Sequence, residues 1–180
     1  MRHTKRLTLA ALSVAFGVLL LYLGTLLSVL DLTAVALAAL LVIFAEIELK
    51  APYQFLVAAG TALLAFLLLP DKTPALLYLL FGGLYPILKG YLERLPRILA
   101  AILKILLYNL LLALSLWVLF ALFGFDPAMY SFGGRLPLLA IYIIGGVFLE
   151  LLLFLYDLAL TRLRLYYFSR LRQKILPILK

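Results

Sequence analysis

The chain has no cysteine and a single histidine, His3, close to its N-terminus. These absences exclude a disulfide framework, a thiolate metal site and a thiol nucleophile. They also leave the middle of the chain without an imidazole to act as base or ligand. Charge is scarce as well: Asp, Glu, Lys and Arg make up 13% of the 180 residues, eight acidic and sixteen basic, for a formal net charge of +8. No HExxH, no GxSxG and no Walker loop occurs, and Ser13, Ser28, Ser115 and the threonines have no histidine to activate them. An enzyme is not expected, and neither is a cofactor or a metal.

What is abundant is apolar. Hydrophobic residues form 67% of the chain and the mean hydropathy is +1.20, where a soluble domain has about 45–50% apolar residues. That excess is too large for one buried core, so much of it must face lipid. The runs lack the alternation of a lipid-facing barrel strand, which leaves an all-α integral membrane bundle. A bilayer core about 30 Å thick takes about 20 apolar residues as helix. Cut at its charge and proline clusters, the chain yields six such stretches, at 7–30, 32–49, 53–70, 74–91, 97–123 and 136–160. The first has a basic start, as a signal peptide does, but its apolar run is long and no small-residue cleavage site ends it, so a retained helix is expected. Residues 1–160 then form a six-helix transmembrane domain, and 161–180 a cytoplasmic tail.

Basic residues orient the bundle. With the N-terminus inside, thirteen of the sixteen fall at cytoplasmic ends, among them Lys5, Arg6, Lys50, Lys89, Arg94, Arg97 and the cluster from Arg162 to Lys180. Lys72 and Arg135 fall outside, and Lys104 within a span. Both termini are thus expected in the cytoplasm of a multi-pass plasma or inner-membrane protein. The tail "TRLRLYYFSRLRQKILPILK" reads as a basic amphipathic helix on anionic lipid. Topology already accounts for the positive charge, so nucleic acid is not an expected partner.

The polar residues inside the spans are few enough to name. Glu150 and Asp157 are seven apart, on one face of the last helix. Lys104 and Asn109 lie on the helix before it, which runs the other way. Charges at such depth normally face the bundle and find partners. The four form an expected inward stripe, with Lys104 and Asp157 as a structural ion pair and Glu150 open to a solute or ion. The alternative is that the whole stripe only fixes helix register. Gly82, Gly83 and Pro86 predict a kink in the fourth span, with Tyr85 or Tyr78 supplying a hydroxyl to the freed carbonyls. Gly145 and Gly146 predict close helix approach in the sixth. The connection "GFDPAMYSFGGR" offers Tyr130 as a lid residue or an interface anchor.

Six helices with both ends inside, in a chain of this size whose first helix reads "TLAALSVAFGVLLLY", resemble the substrate-binding S components of energy-coupling-factor (ECF) vitamin importers. The resemblance implies that small-xxx-small spacing, here Ala11 and Ala15, docks a membrane coupling subunit that works with ATPases. It also implies capture of a small molecule from outside, in an outer site between the fourth, fifth and sixth helices. Glu150, Asn109, Trp117, Tyr130, Arg135 and Tyr85 are the candidate substrate-binding residues. The alternative function is a non-catalytic membrane scaffold whose polar stripe is structural and whose tail recruits lipid or a partner.

Overall fold

The computed structural model of the chain describes residues 3–27, 31–123 and 138–167, with the backbone alone at 116, 119, 120, 122, 123 and 138–145. These residues form six helical segments and, among them, no strand: α1 (His3–Leu27), α2 (Asp31–Leu49), α3 (Tyr53–Leu68), α4 (Thr73–Leu92), α5 (Arg97–Phe123) and α6 (Leu138–Tyr166). The helices stop where the chain has reason to stop. Lys50 takes a left-handed φ of 64° before the cis Ala51–Pro52 peptide, and Asp71 Oδ1 accepts the Thr73 N–H at 2.9 Å as α4 begins. The last helix continues past the expected end at 160 to Tyr166, so the basic tail starts as an extension of α6.

Among the described residues, four helices are long and apolar enough to cross a membrane: α1, α2, α4 and the Arg97–Ser115 part of α5. Helix α3, at 16 residues, is apolar but shorter. The outward faces carry large apolar side chains such as Leu67, Ile98, Ile105 and Leu106, each at least 60% exposed. Surface of that kind, continuous over several helices, is made for lipid and not for water. The chain is a helical membrane protein.

Two apolar cores meet on α4. Leu21, Val42, Val57, Tyr78 and Ile87 join α1, α2, α3 and α4 in the first, and Ile43, Leu80, Tyr85, Leu111 and Leu160 join α2, α4, α5 and α6 in the second. The α1–α3 contact is close because both helices are bare where they cross. A Cβ on Gly17 would lie 2.8 Å from Thr61 Cγ2, and one on Gly60 would lie 3.2 Å from Val14 Cγ2. Ala11 and Ala15 stand on the other, exposed face of α1. Among the described residues, nothing lies within 4 Å of a Cβ built on Gly146. No described residue makes the expected close approach at Gly146, and the surroundings of Gly145 lie outside the described side chains.

The expected irregularity in α4 takes the form of a wide turn: Tyr78–Leu84 is π-helical, and Pro86 stands two residues beyond it. Its backbone accounting is informative. The Tyr85 N–H bonds back to the Leu80 carbonyl, five residues earlier. The Phe81 carbonyl therefore loses Tyr85, and its own partner five residues on would be Pro86, which has no N–H. Tyr156 of α6 fills the gap, donating its hydroxyl to Phe81 O at 2.9 Å. The hydroxyl comes from α6, in place of the expected Tyr85 or Tyr78.

The two faces of α1 should respond differently to added bulk. Gly17→Ala forces Thr61, a stiff β-branched side chain, to move, and overpacking of this kind typically costs about 1–3 kcal/mol. It should lower the thermal midpoint of the purified protein, whereas Ala11→Leu with Ala15→Leu should leave it unchanged. Equal midpoints for all three proteins would show that α1 does not cross α3 at Gly17.

Candidate functional site

The polar side chains gather around Lys89, read from the sequence only as a cation at the cytoplasmic end of the fourth span. Lys89 lies on the inner face of α4 and is 1% exposed. Its ammonium has three protons and makes three hydrogen bonds. It sits against Asp157 Oδ1, and it donates to the Asp157 carbonyl at 2.9 Å and to Thr161 Oγ1 at 2.6 Å. All three acceptors are on one turn of α6. Thr161 in turn donates to the same Asp157 carbonyl at 2.9 Å.

Asp157 is held from two other sides. Tyr85 donates to its Oδ1 at 2.5 Å, and Lys104 Nζ stands 3.4 Å from Oδ2. Since Tyr85 has given its only proton to the carboxylate, the 2.5 Å contact between the Tyr85 and Tyr108 hydroxyls must run from Tyr108 to Tyr85. The two rings stack with centroids 4.9 Å apart. The result is a directed chain, Tyr108 to Tyr85 to Asp157, linking α5, α4 and α6.

Glu93, one turn beyond Lys89, collects the remaining cations. Its Oε1 is 3.2 Å from Lys89 and 3.3 Å from Lys104, and its Oε2 accepts from Arg164 Nη1 at 2.9 Å. Arg164 Nη2 donates to Glu46 Oε2 of α2 at 2.5 Å. Glu46 lies across bare backbone, since a Cβ on Gly90 would sit 1.9 Å from its Oε1. Three cations, Lys89, Lys104 and Arg164, thus face three carboxylates, Glu46, Glu93 and Asp157, and the formal charges cancel. Among the described residues no His, Cys, Asp and Glu group has the arrangement to hold a metal. Every carboxylate in the network is already occupied by a cation.

The expected stripe separates into two pairs. Lys104 reaches Asp157, and Asn109 Nδ2 reaches Glu150 Oε1 at 3.3 Å, but Asn109 and Glu150 are exposed on the α5–α6 surface. Trp117 is 65% exposed. Tyr130 and Arg135 lie outside the described residues. Tyr85 is buried in the ion network. Lys89, Glu93, Glu46 and Arg164 were not among the expected site residues. The signal for two of them was present in "YPILKGYLE": Tyr85, Lys89 and Glu93 recur at four-residue steps and so share one helix face.

A separate cavity of about 330 Å³ lies among α2, α4, α5 and α6. Leu32 and Val35, Leu77 and Phe81, Leu112 and Ser115, and Leu149, Leu152, Leu153 and Tyr156 line it. None of Glu150, Asn109, Trp117 and Tyr85 does. Its two hydroxyls are engaged with backbone, Ser115 with Leu112 O at 2.8 Å and Tyr156 with Phe81 O. The wall presents an apolar surface to whatever enters. Compared with known proteins, the chain matches no family model, no curated protein and no solved structure.

Removing one member of a buried pair strands the other, at a typical cost of about 3–5 kcal/mol, while removing both can be near neutral. Lys89→Met should therefore lower the thermal midpoint sharply, and Asp157→Asn added to it should restore much of the loss. Lys104→Met should cost far less, because its side chain is 18% exposed and its contacts are longer. Glu150→Gln should be silent. A Lys89→Met protein as stable as the parent would remove Lys89 from the centre of the network.

Proposed function

We propose that this chain is a solute-binding membrane subunit of an importer, similar in kind to the S components of energy-coupling-factor systems, and that its solute has a largely apolar body. The observation that carries the reading is the cavity of about 330 Å³ between α2, α4, α5 and α6. Its volume is in the range of small-molecule sites, and such sites are mostly apolar concavities, found among other places between the helices of bundles. Among the described lining residues a polar vitamin would meet two hydroxyls, each already donated to a carbonyl. Selection is then by shape and apolar contact.

The same proposal includes six membrane spans with both termini in the cytoplasm. The basic residues support that orientation, and α3, though short, is close to the lower limit of about 17 residues for a span. Ala11 and Ala15, exposed on α1, are the proposed contact for a coupling subunit that works with ATPases. Loss of that subunit on co-purification of the Ala11→Leu, Ala15→Leu protein is the readout. The charge-balanced network favours a structural role for the polar stripe itself, so the scaffold reading applies to the stripe and the binding reading to the cavity.

The test of the cavity is chemical. Protein purified without added ligand should release a small apolar compound when denatured, detected by mass spectrometry. Ser115→Phe, which projects a ring into the cavity, should lose the compound while keeping its thermal midpoint. Retention of the compound by the variant would place it elsewhere on the protein.

Topology has its own test, eased by the absence of native cysteine. An impermeant thiol reagent should label Lys72→Cys in intact cells. It should label Arg94→Cys only after the membrane is opened. Labelling of Arg94→Cys in intact cells would break the six-span arrangement.

A further inference from the structure

A second cavity, of about 370 Å³, lies at the end of the bundle where α2 passes into α3 and α4 finishes. Its wall differs from that of the first: Glu46, Lys50, Ala51, Gln54, Tyr91 and Arg94 line it. Glu46 is committed to Arg164 at 2.5 Å. Lys50 and Arg94 are different. Neither is held in an ion pair among the described residues, and both are exposed to the cavity end of the bundle. Arg164 takes the Glu46 charge from behind and Arg94 is a weaker electrostatic partner of the same carboxylate, so the wall keeps an excess of positive charge.

Its neutral groups are also set as donors. Gln54 is buried, and its Nε2 donates to the Tyr91 hydroxyl at 3.3 Å. The Tyr91 oxygen is therefore accepting from one side, and its own proton is available to the cavity. The Arg94 guanidinium lies over the Tyr91 ring, 5.2 Å from its centroid, a cation–π contact that holds the two side chains on the same wall. Lys50 occupies a backbone conformation, φ 64°, that glycine adopts freely and a lysine does not. A side chain retained in a strained position commonly has a use there.

We propose that this cavity binds a phosphate group, with Lys50 and Arg94 as its charge partners and the Tyr91 hydroxyl as a neutral donor. Ammonium, guanidinium and phenol together offer charge-assisted hydrogen bonds to several oxygens of one tetrahedral anion. The phosphate has two possible sources, the headgroup of an anionic lipid and a soluble phosphate, and the recognition chemistry is common to both. This cavity shares no lining residue with the proposed solute site, and phosphate binding here does not depend on solute binding there.

Two arms test it on the full chain in uncharged detergent. Inorganic phosphate is titrated by calorimetry, and phosphatidylglycerol doped into the micelles is followed by native mass spectrometry. At least one arm should give a single bound molecule. Binding to lipid alone assigns the site to a headgroup, and binding in both arms shows that phosphate suffices. Arg94→Gln should weaken the interaction about tenfold or more, as expected for loss of a charge-assisted hydrogen bond. Lys50→Gly separates binding from folding: it relieves the backbone strain, so the thermal midpoint should hold or rise while affinity falls. Arg97→Gln, a nearby cation outside the cavity wall, should bind as the parent does. Failure of both arms overturns the proposal, and so does binding that survives unchanged in both Arg94→Gln and Lys50→Gly.

Discussion

One buried ammonium governs the arrangement of the last three helices. An amine held at 1% exposure among apolar helices must find acceptors for all its protons. Lys89 finds them on a single turn of α6, at the Asp157 carboxylate, the Asp157 carbonyl and Thr161. Those acceptors converge only if residues 157 and 161 both face α4. The rotation and the height of α6 are then fixed together. Arg164, three residues further, comes onto the same face and reaches α2 through Glu46. Glu150 shares the face too, but two turns away, where its partner is Asn109 of α5 on an open surface. Similar carboxylates on one helix stripe thus end in opposite environments, because only one of them meets α4.

The wide turn in α4 belongs to the same constraint. A proline at position 86 leaves the Phe81 carbonyl with no backbone donor, in a segment where such a group has no water to turn to. Tyr156, the neighbour of Asp157, provides the donor. Consecutive residues of α6 therefore serve two different needs of α4: Tyr156 the irregular backbone, and Asp157 the buried charge. Neither need could be met by an apolar helix packed at the same distance. Polar contacts specify how α6 seats, while the apolar second core, through Leu80, Tyr85, Leu111 and Leu160, supplies contact area that would tolerate other registers.

The positions of the helices were legible because charge and proline interrupt the apolar runs: the breaks at Lys50–Pro52, Pro70–Lys72 and Glu93–Pro96 lie between helices, whereas Arg162 and Arg164 lie within α6. The expected 97–123 helix is Arg97–Phe123, and 74–91 is Thr73–Leu92. The partners of Lys89 were missed for a related reason. A basic residue close to a run's end is counted only as a cation at the cytoplasmic end of its span, and Lys89 stands three residues before the end of α4. The count had no means of seeing that the helix turns that lysine inward. Trp117 and Ala11 show a second limit. A helix that is apolar all round carries no stripe to separate its lipid face from its packed face. The outward direction of Trp117, and the exposure of Ala11 and Ala15 beside the buried Ser13 and Gly17, depend on neighbours that the local sequence does not name.

The apolar cavity and the ion network touch at Tyr156, and this limits what the cavity can recognise. Tyr156 and Phe81 both line the cavity, and the bond between them satisfies the carbonyl that Pro86 leaves open. An occupant that took the Tyr156 hydroxyl for itself would strand that carbonyl and loosen α6 one residue from Asp157. Its gain of one hydrogen bond would be offset by the loss of another, since a buried acceptor without a partner costs about 1–3 kcal/mol. Only an occupant that leaves the bond alone enters without that loss. The proline in α4 thus reaches beyond the shape of its own helix: by committing the hydroxyl of Tyr156 to Phe81, it keeps a polar-looking wall chemically apolar.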